Sequence, residues 1–313
     1  MAVTTVKATI NGQEYALTYN NTSKKYEATI PAPSQTSGMN NNGSGPGVGT
    51  LAQGKGYYPV TLTATDDAGN TTTIDDTDNT HGQALRLKVK ETVAPVASFT
   101  YPTASATIAS NKPAIAFKFT DSGSGVNPTS CKIKVDSGTE QSVTLTGSNT
   151  QFTGTFTPTT ALSDGSHTVT VYAYDYDGNK SNVASVSFKV DTTPPTLTLD
   201  SPNFDKPINV TSGVISGTTN DALSSPVTVV ATINGKDVGT ISVGSDGRFS
   251  KSVTWSLGTN TVVVTATDAV GKESSVTRTV TVDTGAPVFG TPVITPNPTE
   301  TGVSYTISVE VTD

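Results

Sequence analysis

The sequence predicts an all-β protein built from several small modules in tandem, and three observations lead to this fold class. Thr and Val, whose β-branched side chains suit a pleated sheet, are abundant, whereas Leu is sparse. No stretch shows the i, i+3, i+4 apolar spacing of an amphipathic helix. A strand followed by a turn recurs at intervals of roughly a hundred residues, the size of one β-sandwich. A chain of 313 residues has room for two or three such domains.

The recurring strand alternates apolar and polar residues and ends in a turn that contains aspartate. It occupies residues 60–70, 169–179 and 262–272. In the second copy Val169, Val171 and Ala173 share one parity, which predicts a strand with one buried face. The aspartate at the strand end suits hydrogen bonds to nearby amides, and the glycine after it suits a positive φ, so we expect a hairpin turn.

A short segment with an acidic residue and proline follows each of these strands and predicts a junction between modules. The segments are ETVAP at 91–95, DTTPP at 191–195 and DTGAP at 283–287. Proline holds φ near about −65° and extends the residue before it, so each module is expected to run into the next as part of a semi-rigid rod. The predicted modules are 1–93, 94–193 and 194–285, with 286–313 as the first strands of an incomplete fourth.

The A-x-D-x-x-G-N turn, the strand after it and the D-T-x-x-P segment together resemble the bacterial Ig-like repeat family. The third module carries the fullest resemblance, with ATING at 231–235, DGRF at 246–249 and LGTN at 257–260. The resemblance implies tandem immunoglobulin-like β-sandwiches. Members of this family occur in cell-surface adhesins, as accessory modules of secreted carbohydrate enzymes, and in phage tail, baseplate and capsid-decoration proteins. Because this fold hosts many unrelated functions, the resemblance constrains the fold more than the function.

Module 1 departs from the usual pattern. Asn11 and Gly12 lie between alternating runs and predict a hairpin, and the same ATING string recurs in the third module after two further strands. Module 1 is therefore expected to begin at the third strand. Its long loop, residues 31–56, is of a length that is usually functional or disordered. The simplest interpretation of the incomplete modules is that the chain is part of a longer protein; completion of module 1 by a neighbouring subunit's strand is a second hypothesis.

Composition and motifs argue against several classes of function. A net charge of −7 without a basic stripe argues against nucleic-acid binding, and no apolar run is long enough to insert into a membrane. Catalytic motifs and zinc spacings are absent from the sequence, so we expect no enzymatic activity. Cys131 shares parity with Ile133 and Val135 and is interpreted as a small core residue.

Calcium is the one cofactor that the sequence suggests, because hard cations prefer clustered carboxylate and amide oxygens. The alternative is that these residues only form turns. The candidate ligands lie in the second module and around one hairpin end of module 1: Asp175, Asp177, Asn179, Asp66, Asp67, Asp75, Asp76 and Asp78.

Tyrosines offer a candidate contact surface for sugar or protein. Tyr172 and Tyr174 have the parity opposite to the buried face, and Tyr176 follows them. Tyr57 and Tyr58, after the long loop, form a second candidate group. The alternative, which stays open, is that these tyrosines face solvent on the outer side of a strand and bind nothing.

The expected function is therefore a non-enzymatic structural or adhesive one. The sequence lacks a signal peptide ahead of its first strand, which favours a part of a bacteriophage or phage-like particle located in the virion. Expected partners are other virion or tail proteins in a symmetric assembly and host cell-surface glycans. The alternatives are the stalk of an adhesin at the bacterial cell surface and accessory modules of an exported carbohydrate-active enzyme.

Overall fold

A computed structural model describes residues 2–33, 57–148 and 151–313 of the chain. The chain divides into two compact units, Met1–Val190 and Asp191–Asp313. Among the described residues, no helix is both long and apolar enough to cross a membrane.

The first unit begins with an antiparallel sheet of six strands. Its strands run in the order β3-β2-β1-β4-β5, with β6 paired to β4. A 3-10 turn, Gly82–Leu85, precedes β6. The strands are β1 (Val3–Ile10), β2 (Gln13–Asn20), β3 (Lys25–Glu27), β4 (Tyr58–Asp66), β5 (Thr71–Ile74) and β6 (Arg86–Leu87).

The predicted Asn-Gly hairpin joins β1 to β2. Ile10 pairs with Gln13, and both turn residues have positive φ, 50° at Asn11 and 73° at Gly12. These are the angles of the tight turn whose twist matches that of the flanking strands. Only Ile10 and Tyr58 are buried in the apolar cluster on this sheet, so the described part of residues 1–93 holds a small core. Most of the predicted loop, residues 34–56, lies outside the described residues.

The rest of the first unit is a β-sandwich. One sheet has the order β12-β13-β9-β7 and the other β11-β10-β14-β15-β8. This arrangement matches the D-E-B-A and C-F-G sheets of immunoglobulin domains. The strands are β7 (Val96–Tyr101), β8 (Thr107–Ile108), β9 (Ile115–Thr120), β10 (Lys132–Val135), β11 (Gln141–Ser142), β12 (Thr146–Ser148), β13 (Gln151–Phe156), β14 (Gly165–Tyr172) and β15 (Ala184–Val190).

The two sheets of this sandwich bury one contiguous apolar core. Phe117 and Phe119 contribute from β9, and Val169 and Val171 contribute from β14. Cys131 is fully buried in the same core, so its prediction as a core residue is confirmed. The alternation read from the sequence therefore gives the inward face of β14 correctly.

The second unit contains a second sandwich, in which the strands that correspond to those of the first have the same order. Its sheets have the orders β16-β17-β20 and β19-β18-β21-β22. Trp255, Val262 and Val264 lie in its buried core. The strands are β16 (Thr196–Ser201), β17 (Ser212–Asn220), β18 (Thr228–Ile233), β19 (Lys236–Asp237), β20 (Arg248–Thr254), β21 (Gly258–Thr267) and β22 (Glu273–Val282).

Two short antiparallel ladders end the second unit. β23 (Val288–Phe289) pairs with β26 (Val311–Thr312), and β24 (Val293–Thr295) pairs with β25 (Thr306–Ser308). Their apolar side chains are exposed, as at Phe289, which is 72% exposed. Two paired strands cannot bury a core, which explains this exposure.

Candidate cation site at the domain linkers

Six acidic side chains gather into two groups of three in the described part of the chain. The Glu91 cluster consists of Glu91, Asp121 and Asp175 in the first unit. The Asp191 cluster consists of Asp191, Asp221 and Asp268 in the second. In each cluster one carboxylate oxygen from every residue lies within 4.8 Å of the other two.

The immunoglobulin topology brings the three members of each cluster to one end of a sandwich. The first member lies in the linker that leads into the first strand. The second member follows the strand that pairs with this first strand, β9 or β17. The end of that strand lies beside the start of the first, as Thr196 pairs with Asn220. The third member opens the turn after β14 or β21. Residues far apart in sequence therefore meet at the end where the linker joins each domain.

The linker residue of the Asp191 cluster is held tightly. Asp191 is fully buried, its Oδ1 accepts a hydrogen bond from the Thr193 amide at 3.1 Å, and its Oδ2 accepts one from the Ser224 hydroxyl. The Oδ1 of Asp221 accepts hydrogen bonds from the amides of Leu223 at 2.8 Å and Ser224 at 2.9 Å. Ser224 thus bridges two of the three carboxylates.

The third carboxylate of this cluster is incompletely satisfied. Asp268 is 6% exposed, and its Oδ1 accepts hydrogen bonds from the amides of Val270 at 2.9 Å and Lys272 at 2.8 Å. Its Oδ2 is buried and has no hydrogen-bond partner. A buried, unpaired carboxylate oxygen is costly, because the lost hydration is not replaced.

No ion pair among the described residues reaches the Asp191 cluster. Two like charges about 4–5 Å apart repel by roughly 3–4 kcal/mol at an effective dielectric constant of about 20. Three carboxylates therefore need protons, further donors or a cation to lie this close together.

The Glu91 cluster repeats the arrangement in the first unit. Asp121 and Asp175 are buried, and the amide of Ser124 donates to Oε1 of Glu91. Burial raises the pKa of Glu91 and of Asp121, although backbone amides oppose the shift at both. The hydroxyl of Ser124, which corresponds to Ser224, is buried and has no hydrogen-bond partner.

Two of the predicted calcium ligands, Asp177 and Asn179, form hydrogen bonds with the backbone of the linker residue Glu91. Oδ2 of Asp177 accepts a hydrogen bond from the Glu91 amide at 2.9 Å, and Nδ2 of Asn179 donates to the Glu91 carbonyl oxygen at 3.1 Å. Asn179 also donates to both oxygens of Asp175, from its backbone amide and its side chain, each at 2.7 Å. Of this predicted trio, Asp175 alone belongs to a carboxylate cluster.

The five acidic residues proposed around the module 1 hairpin belong to neither cluster, so their role as calcium ligands stays a prediction. Each of the five has local hydrogen-bond donors that satisfy it where it lies. Asp66 accepts from Ala68 and Asn70, Asp67 from Ala2, Asp75 from Thr77, Asp76 from Tyr57, and Asp78 from Thr80 and His81.

The predicted contact surface of Tyr172, Tyr174 and Tyr176 is exposed in part. Tyr172 and Tyr174 do lie together on the outer face, with ring centroids 6.0 Å apart, and the ammonium of Lys180 lies 3.7 Å from the Tyr172 ring centroid. Tyr172 and Tyr176 are both half-buried, and Tyr174 is exposed.

The expectation that Tyr57 and Tyr58 are exposed is wrong. They are 7% and 2% exposed. The Tyr57 hydroxyl donates to Asp76 and its ring lies under the Arg86 guanidinium, whereas Tyr58 packs in the small core with Ile10.

Two parts of the chain match described protein families. Residues 104–192, which cover the first sandwich, match the family described as "Bacterial Ig-like domain". The chain contains a bacterial Ig-like domain. Residues 195–284, the second sandwich, match the family described as "Glucodextranase, domain B". No curated protein matches the chain significantly.

Several solved structures are similar to the chain at low identity. Fibronectin(III)-like modules of Clostridium thermocellum CbhA share 15% identity over 60% of this chain and 93% of theirs, with a TM-score of 0.35. Titin domains I67-I69 share 12% over 89% and 87%, with a TM-score of 0.38. A structure concerning host cell surface retention of a 1.5-MDa bacterial ice-binding adhesin shares 18% over 90% and 87%, with a TM-score of 0.34. At these TM-scores the similarities carry no functional argument.

Sequence reasoning missed five of the six clustered carboxylates, although the sequence holds a signal for them. In both clusters the acidic residue in the linker and the acidic residue after β9 or β17 are 30 positions apart, from 91 to 121 and from 191 to 221. The same spacing recurs from 283 to 313. A repeated spacing between acids in equivalent segments predicts that they serve one structural purpose.

Proposed function

We propose that this chain is a non-enzymatic structural or adhesive component, in which Ig-like domains carry or space other parts of a bacteriophage or phage-like particle. Ig-like and fibronectin-like modules are generally non-catalytic, and tandem arrays of them are typical of adhesins and surface proteins. We propose a particle as its location because the repeats resemble those of phage tail, baseplate and decoration proteins.

The observation that carries the structural role is the way each linker is secured to the domain that follows it. Glu91 is held through its backbone by Asp177 and Asn179, and Asp191 is held through its carboxylate by Ser224. Each sandwich also has its own buried core, so it does not require a partner to fold. Secured linkers and self-sufficient cores suit a component that holds its neighbours at a set distance.

A groove on the first sandwich illustrates why a catalytic role is not proposed. It has a volume of about 550 Å³ and lies between β7 and β15. Its lining contains no titratable side chain, only small polar and apolar ones such as Ser98, Phe99 and Asn182. General acid–base or nucleophilic chemistry needs converging titratable groups.

The match of residues 195–284 to glucodextranase domain B favours a second candidate, accessory modules attached to a carbohydrate-active enzyme. In either setting Tyr172 and Tyr174 are the best-placed residues for stacking on a sugar, because their rings share one outer face. Single contacts of this kind are weak and gain from repetition in a symmetric assembly.

Fractionation separates these settings. Particles purified on a density gradient from a lysate, and the envelope and culture medium of intact cells, are analysed by quantitative mass spectrometry. Enrichment of this chain with capsid or tail proteins supports the proposal. Enrichment in the envelope or with secreted glycan-degrading enzymes, with none in particles, would contradict the proposal. It would favour an adhesin stalk or an accessory module of an enzyme.

A further inference from the structure

We propose that Asp191, Asp221 and Asp268 form a divalent-cation site, selective for calcium, that fastens the linker to the second sandwich, and that Glu91, Asp121 and Asp175 form an equivalent site in the first. The calcium site expected from the sequence thus involves a different set of residues, with Asp175 as the one shared member. This inference does not depend on whether the chain belongs to a particle or to a cell surface.

The unpartnered oxygen of Asp268 is the first argument for a ligand. Oδ1 of this residue is committed to the turn after β21, while Oδ2 is buried with no donor, on a residue that is 6% exposed. Because the carboxylate of Asp268 lies beside those of Asp191 and Asp221, a cation is a better fit for this unpartnered oxygen than a neutral donor.

The separation of the oxygens fits the size of calcium. Calcium binds oxygens at about 2.3–2.6 Å, so two ligands of one ion lie up to about 5 Å apart. One oxygen from each of Asp191, Asp221 and Asp268 lies within 4.8 Å of the others, so these separations are of the size that the ligands of one calcium ion have. Water and backbone oxygens would complete the six to eight ligands that calcium takes.

Repetition is the second argument, and it is independent of the geometry at Asp268. The Glu91 cluster has the same linker, strand-end and turn positions, although the two domains differ in most other residues. In the second unit the 30-residue spacing recurs between Asp283 and Asp313, whose Oδ1 atoms both approach Gly285. Asp283 and Asp313 supply two carboxylates where each complete cluster supplies three. We therefore expect the 313-residue chain to bind two ions, one at each complete cluster.

The test is calorimetric titration of calcium into the full chain after treatment with EDTA and dialysis. We expect two ions per chain, weaker binding of magnesium, and a rise of about 10 °C or more in a thermal transition when calcium exceeds its Kd about a hundredfold. The Asp268→Asn side chain has the shape of the original and keeps an oxygen that can accept from the turn amides, but it has no charge. The variant protein should therefore bind one ion.

The matched control is Asp246→Asn, an exposed turn aspartate of the same sandwich whose Oδ1 accepts the Arg248 amide at 3.1 Å. It should bind two ions. If Asp268→Asn does not fold, Asp221→Asn takes its place. The number of calcium ions bound by the unsubstituted chain tests the proposal without either variant. No binding at millimolar calcium by that chain, or two ions bound by a folded Asp268→Asn protein, overturns the proposal.

Discussion

The pair formed by His167 and Asp136 makes the stability of the first sandwich depend on pH near neutrality. His167 is buried, with Nδ1 2.8 Å from Asp136 Oδ2 and Nε2 2.7 Å from the Ser163 carbonyl oxygen. Both ring nitrogens thus face acceptors, which favours the doubly protonated ring. Burial opposes that charge, but the hydrogen bonds to Asp136 and Ser163 outweigh it and raise the pKa of His167.

A histidine with a raised pKa stabilises the folded state fully below its unfolded value of about 6.5, and this contribution is lost as the pH rises through the folded value. One nitrogen then lacks its proton, and an acceptor loses its donor. We expect a loss of about 1–2 kcal/mol, at the low end for hydrogen bonds to charged groups, because the Asp136 side chain is 41% exposed. For a domain of this size the transition should fall by about 5–10 °C.

Differential scanning calorimetry between about pH 5.5 and pH 8.5 measures this effect, and His167→Gln should remove it. His81→Gln is the matched control, because the His81 side chain is 60% exposed and should leave the pH dependence intact. NMR titration of the two histidines reports the raised pKa directly. A flat pH profile in the unsubstituted chain, or the same slope in His167→Gln, would show that the pair of His167 and Asp136 does not set this pH dependence.

Three further predictions follow from burial and hydrogen bonding. Phe117→Ala should lower the free energy of unfolding by about 3–5 kcal/mol in urea titrations, whereas Phe289→Ala, at a 72% exposed position, should change it by less than about 0.5. Cys131 should not react with a thiol reagent until the chain unfolds, since burial raises its pKa to about 12. Asn182→Ala should cost about 1–2 kcal/mol, because its side chain bonds both the amide and the carbonyl of Ala97.

Local pattern predicted the strands and turns well, because one side of each strand is buried and the turns need particular residues. The inward parity of Val169 and Val171 is confirmed, and the turn glycines Gly69, Gly178 and Gly271 have φ of 83°, 94° and 87°. These features depend on neighbours within a few residues, so a short window of sequence contains the information.

The carboxylate clusters could not be assembled from local pattern, because their members are far apart along the chain. Asp191 and Asp268 meet only because the immunoglobulin topology brings the first strand, the second and the turn after β21 to the same end of the sandwich. The burial of Tyr57 likewise depends on Asp76 and Arg86, which the alternation of β4 does not reveal. The predicted boundaries of the four modules stay predictions.

Immunogold electron microscopy, with antibody to this chain on lysates and on intact cells, tests the proposed function most directly. We expect gold at a defined position on capsids or tails, with little gold on cell envelopes. Gold confined to cell envelopes, beside unlabelled particles in the lysate, would contradict it and identify the chain as a cell-surface component.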